Sequence, residues 1–320
     1  YNVAVGNDAL TTLTTGDSNT AVGINAGAAI TTAIGNTFIG SQAGDANTTA
    51  SHNTAVGFSA LGANTTGTNN VAVGKDALDA CTTGSQNTAV GGGALTTNTT
   101  GANNTAFGYL AGASATTGQE NTFIGKRAGY LNSSGSANTY IGLDAGYTNL
   151  TSGYNVAIGT NALKLNVTQG NIAVGSYVLQ SSTSGTGNIG IGSYDANGTP
   201  GALFANTTGS HNVAMGVLAL GANTTGYQNV AIGYQALASN TTGLNSTAIG
   251  LNAGNAAVSG NGNIFVGKDS GITGSPGGSI AGSTGNTLVV GDENISACHI
   301  QTDWTVASDQ RDKTDFTALD

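Results

Sequence analysis

Ser308 and Lys313 stand five residues apart in the run Trp304-Thr305-Val306-Ala307-Ser308-Asp309-Gln310-Arg311-Asp312-Lys313-Thr314-Asp315-Phe316. A lysine whose pKa is lowered by burial can take the proton of a serine hydroxyl, so the two have the residue types of a nucleophile and its base. Spacing alone favours the plainer reading, a polar segment without chemistry. Other candidates are sparser. His52 and His211 occupy equivalent places, each just before a recurring Asn, and His299 stands alone. Asp8, Asp76, Asp144 and Asp269 each follow a recurring Gly by two residues. They are too scattered for a calcium array, and the glycine-rich calcium nonapeptide is absent. Cys81 and Cys298 lie 217 residues apart with no metal-ligand spacing around them, so neither an intrachain disulfide nor a metal is expected. No cofactor is expected either.

Six Asn-Thr-Thr triplets, starting at Asn47, Asn64, Asn98, Asn206, Asn223 and Asn240, match the glycosylation acceptor pattern. As parts of a repeated turn they need no such explanation. Tyr109, Tyr130, Tyr147, Tyr227 and Tyr234 could hold sugars on a surface, although packing accounts for most aromatic residues.

The element that positions all these residues is a short repeat. Glycines fall at 6, 23, 40, 57, 74, 91, 108, 125, 142 and 159, a constant step of 17, and the series runs on to Gly291. It holds 17 copies, with one step of 16 and two of 24. A period this short and strict means a solenoid, each copy one coil stacked on the last. Aligned on the Gly, the unit reads Asn-[Thr/Val/Ile]-Ala-[Val/Ile]-Gly, then x-x-Ala-Leu, then often Thr-Thr-Gly. The residue before the Gly is apolar in all copies, and two residues earlier it is β-branched in 16 of 17. That is a short β-strand closed by a glycine turn. The predicted class is all-β: a parallel β-solenoid, or β-roll, of ~17-residue coils. The Ala-Leu half is compatible with either a second strand or one helical turn. At ~4.8 Å per strand, 17 coils make a rod roughly 80 Å long.

Comparing the copies assigns the faces. The strand centre is Ala in most copies but aromatic at Phe38, Phe123, Tyr140 and Phe265. In those four, the residue four after the Gly is itself Gly; in eight Ala copies it is Leu. Large at one slot goes with small at the other, as for two side chains sharing a core volume. Ala21, Ala106 and Ala248 break the rule, since Gly accompanies them too. The opposite strand face is also apolar, and a thin coil cannot cover both faces itself, so a partner chain is expected on it. A monomer with an exposed stripe is the alternative. Asn at the strand entry, in 15 of 17 copies, predicts an amide ladder along the axis.

Composition narrows the functional classes. Only 7% of residues are charged and the net charge is -9. No basic stripe exists for nucleic acid, and no apolar run approaches the roughly 18 residues of a membrane span. The sequence divides into a repeat shaft over 1–291, a junction over 292–307, and a distinct ending over 308–320. Insertions holding Pro200 and Pro276, near 193–211 and 268–286, are expected to emerge as surface loops. The chain opens inside a repeat, so a fragment is expected.

Two resemblances add to this. Ser308-Asp309-x-Arg311-x-Lys313 is similar to the opening of the intramolecular chaperone domain of phage tail spikes and fibres, the endosialidase type. The resemblance implies trimerisation by that domain and release by a cut between Ser308 and Asp309, with Ser308 as nucleophile and Lys313 as base. The rest of such a domain lies outside this sequence, so the chain as given is not expected to cut itself. The strand motif, as in residues 53–57 and 155–159, resembles the head repeats of trimeric autotransporter adhesins, which form a three-chain parallel β-roll. Together they imply the shaft of a homotrimeric phage tail fibre, on the virion surface, supporting attachment to a host receptor such as a glycan and working with other tail proteins. The alternatives are a bacterial surface adhesin head and, third, an ice-binding solenoid, although its Thr-Thr pairs are interrupted in several copies.

Overall fold

The computed structural model describes residues 1–193, 198–272, 282–292 and 294. Among them are 17 three-residue strands, from β1 (Val3–Val5) to β17 (Leu288–Val290), one in each Gly-closed unit. Each strand pairs in parallel with the next, without slippage: Val3, Ala4 and Val5 lie beside Thr20, Ala21 and Val22. The register still holds at the far end, where Ile264, Phe265 and Val266 meet Leu288, Val289 and Val290. The chain is a parallel β-solenoid with a single sheet, and no helix occurs among the described residues.

The glycine column is required twice over. Gly57 and Gly74 have φ of 140° and 132°, in a region that side chains rarely adopt. A Cβ on Gly57 would also lie 2.6 Å from the Gly74 carbonyl oxygen. The coils stack at these points backbone against backbone.

The Ala-Leu half is neither a strand nor a helical turn. It is a run of turns in which alternate residues are left-handed: after Gly74, Asp76 has φ 56° and Leu78 has φ 51°. Neighbouring coils satisfy its backbone groups. Asp76 N–H donates back to Phe58 O at 3.0 Å, and Leu78 N–H donates forward to Ala94 O at 3.0 Å. Asp and Asn tolerate this conformation well, whereas Leu does not. Burial offsets the cost, since Leu61, Leu78, Leu95, Leu163, Leu179 and Leu220 are all fully enclosed.

The core is a thin line of strand-centre residues facing these leucines. The aromatic exchange holds, and its three exceptions have a cause. A Cβ on Gly44 would lie 2.6 Å from the Phe38 ring, and one on Gly129 would lie 2.4 Å from Phe123. Three of the four rings also reach into the coil before. Gly27, Gly112 and Gly254, the glycines that accompany Ala21, Ala106 and Ala248, lie under Phe38, Phe123 and Phe265, with Cβ positions 2.9, 2.5 and 2.4 Å from ring atoms. One ring thus takes space from two coils. A related exchange occurs where Val178 replaces the usual Ala: the next strand centre is Gly190, whose Cβ would meet Val178 at 2.5 Å.

The amide ladder is present and, from Asn19 to Asn263, buried. Asn36, Asn53, Asn70 and Asn87 each receive, on Oδ1, the backbone N–H of the next ladder residue at 2.9–3.0 Å. Asn87 Nδ2 donates to Gly101 O at 2.9 Å. Where Ser246 stands in for Asn, its hydroxyl accepts from Asn263 N–H at 3.2 Å. A parallel row of threonines adds hydroxyl bonds between coils, such as Thr65 Oγ1 to Thr82 O at 3.0 Å and Thr82 Oγ1 to Thr99 O at 3.1 Å.

Candidate functional site: the outer strand face and its corner

The first and third residues of each strand point away from the core. Their burial alternates with that of the centre residue in every strand after β1, as in Thr37–Ile39 and Ile264–Val266. Those before the Gly are apolar throughout, so Ile39, Phe107, Ile158, Met215, Ile249 and Val266 form an exposed row, with Phe107 57% exposed. In-register pairing places this slot of each coil directly beside that of the next, the half-buried Val22 beside Ile39 and Val90 beside Phe107. The face is a continuous apolar strip on a chain that has few charges to break it.

The corner after each Gly carries the exposed polar and aromatic residues. Its second slot holds Asp8, Asp76, Asp144 and Asp269, and the left-handed backbone there explains their recurrence. Asp144 is not free to bind an ion. Arg127, one coil earlier in the same slot, donates to both its oxygens at 2.8 Å, and Lys164 Nζ lies at 3.8 Å. The Arg127 guanidinium also sits 5.5 Å from the Tyr147 ring centroid, and Tyr147 stacks on Tyr130 at 5.2 Å. These tyrosines are therefore packing residues. The sequence signal for this cluster was opposite charge at the same slot in consecutive coils. Asp45 and Asp79 lean towards each other over Gly62, where a Cβ would lie 3.5 and 2.8 Å from their Oδ1 atoms. Burial raises both carboxyl pKa values, and the charges of Asp76 and Asp45 raise Asp79 further.

Ser308, Asp309 and Lys313 lie outside the described residues, as do Cys298, His299 and Pro276. His52 and His211 are exposed, resting over Gly35 and Gly187 of the preceding coils. No group of three His, Cys, Asp or Glu residues that could hold a metal exists among the described residues. The Asn of every Asn-Thr-Thr triplet is buried: Asn64 Nδ2 donates to Gly67 O at 2.9 Å, and its Oδ1 accepts from Gly67 N–H at 3.0 Å. In the folded chain these amides are structural and out of reach of a glycosylating enzyme. Cys81 occupies the same slot as Asn64 and Asn98; burial pushes its thiol pKa up to about 11, against the reactivity of a thiolate.

The first extra segment leaves the coil between Gly192 and Pro200. Pro200 itself, expected in a surface loop, is back in the coil, its carbonyl accepting the Leu218 N–H at 3.2 Å as the first residue after the Gly does elsewhere. Ala202 N–H bonds Gly192 O at 3.4 Å, the contact made in other coils three residues after the Gly. The second leaves elsewhere on the circumference, between Ile272 and Gly282, where Val258 N–H meets Gly282 O at 3.0 Å. No family model, no curated protein and no solved structure matches this chain.

Proposed function

We propose that this chain is the shaft of a homotrimeric phage tail fibre, in which three solenoids pack their outer strand faces together and hold attachment surfaces towards a host cell. The observation that supports this reading is the apolar row on the outer strand face, repeated at every coil in constant register. Exposed apolar strips of this extent on a soluble surface mark association, and identical chains with identical steps match one another along the whole length. The function is mechanical: a stiff rod displays its corners and extra segments, and three copies multiply weak contacts with a receptor.

Sedimentation equilibrium tests the reading. The expected species has three times the 31.1 kDa chain mass. Ile39→Lys with Ile158→Lys, at exposed positions of the outer face seven coils apart, is expected to shift it to monomer while leaving the β signal in circular dichroism unchanged. A wild-type chain that stays monomeric and soluble at high concentration sinks the proposal.

A further inference from the structure

The corner after each strand has two outward slots, the first and second residues after the Gly. In the described coils at least one of them carries a side chain, with one exception. Gly91-Gly92-Gly93 leaves both slots of the sixth coil bare. The gap is a notch of about 270 Å³ lined by Lys75, Asp76, Gly92, Gly93, Tyr109 and Leu110.

Its two walls differ in chemistry. On one side Lys75 Nζ is paired with Asp76 Oδ2 and lies 5.9 Å from the Phe58 ring centroid. Both ends of this ion pair stay accessible, at 70% and 33% side-chain exposure. Across the gap, Tyr109 is 58% exposed. Its ring leans over Gly92, where a Cβ would lie 3.6 Å from the ring. The walls are two coil steps apart, about 9.6 Å, which leaves room for one flat ring between them.

We propose that this notch is a saccharide subsite for a neutral hexopyranose unit, with Tyr109 as its platform and Asp76 and Lys75 as its hydroxyl partners. The C–H face of a pyranose is weakly positive and suits the negative face of an aromatic ring. A carboxylate accepts from two adjacent hydroxyls while an ammonium donates to a third oxygen. Lys75 is already paired with Asp76 and no second cation lines the notch, so acidic sugars are disfavoured. All six residues belong to one chain, and the notch chemistry is independent of oligomeric state. Only its use in attachment, where three weak subsites act together, rests on the function proposed above.

Saturation-transfer NMR on the whole chain tests the subsite, with the methyl glycosides of glucose, galactose, mannose and N-acetylglucosamine as probes. At least one is expected to bind at millimolar concentration, with its C–H protons the most strongly saturated. Tyr109→Ala is expected to weaken it about tenfold, the loss of one stacking contact. Gly92→Phe fills the notch and should abolish the signal. It is expected to fold, since the same slot already holds Phe58 and Tyr109. Tyr234→Ala, in a corner whose second slot is filled by Gln235, should leave affinity unchanged. Absence of signal from every glycoside, or full signal from Gly92→Phe, overturns the proposal. Sedimentation of the same samples separates the two readings: a monomer that binds a glycoside keeps the subsite and loses the trimer.

Discussion

Phe38, Phe123, Tyr140 and Phe265 sit where other coils place Ala, and each ring is accommodated by glycine at the facing position. The chemistry of a single residue is thus shared with a residue six positions on, and for three of the rings with one in the coil before. Tyr140 adds a polar requirement that the phenylalanines lack. Its buried hydroxyl donates to Asn138 Oδ1 at 3.0 Å and accepts from Asn149 Nδ2, so neither end of the phenol is left unpaired. A prediction follows for Phe38. Phe38→Ala alone leaves a cavity and is expected to cost about 3–5 kcal/mol, while Gly44→Leu alone drives a side chain into the ring and costs about 1–3 kcal/mol or more. Made together, the two recreate the Ala-Leu coil seen at Ala55 and Leu61 and are expected to recover most of the loss. Denaturant unfolding of the four chains measures the coupling. Simple addition of the two costs would show that the slots do not share a volume.

At the scale of the coil, the buried amide ladder decides how each strand begins. Asn87 accepts the Asn104 N–H at 3.0 Å and donates to Gly101 O at 2.9 Å, and both asparagines are buried. Asn87→Ala strands the buried Asn104 N–H, while Gly101 O keeps its bond from Asn98 Nδ2 at 3.2 Å, and is expected to cost about 1–3 kcal/mol. Asn87→Ser, which copies the natural Ser246, keeps the acceptor for the next N–H and should cost clearly less; equal midpoints for the two variants in thermal unfolding would count against the ladder as a stabilising element. Much of this element could be read from sequence. The β-branched residues, the Gly and the entry Asn have types that announce their roles, and the ring-for-glycine exchange assigned the inner face. The other half of the coil was opaque because its left-handed positions are filled by Leu78, Leu95 and similar leucines, a type that gives no hint of that backbone. The glycines at 27, 112 and 254 looked like exceptions because their partners belong to the next coil, beyond any within-unit comparison. The Gly92–Tyr109 notch was hidden for the same reason: its walls are 34 residues apart, at Lys75 and Tyr109, and become neighbours only once the coils are stacked.

At the scale of the whole molecule, stability is a sum of coil-to-coil terms, because each strand bonds only to the strands before and after it. The 16 acidic against 7 basic residues give finished rods a common charge that opposes clumping side by side. The repeat length described for the fold also sets how the rod responds to tension. Pulled along its axis, the backbone runs crosswise to the load, and the chain can come away one loop at a time. A released 17-residue loop extends to roughly 58 Å while giving up ~4.8 Å of rod, a gain of about 50 Å per event. The two 24-residue steps would each let out about 75 Å. Single-molecule force extension of one chain is expected to show a ladder of equal increments with two longer ones, and a single all-or-none rupture would refute it. A rod built this way is a stack of calibrated slack, able to lengthen under a sudden load and lose one coil rather than the whole shaft.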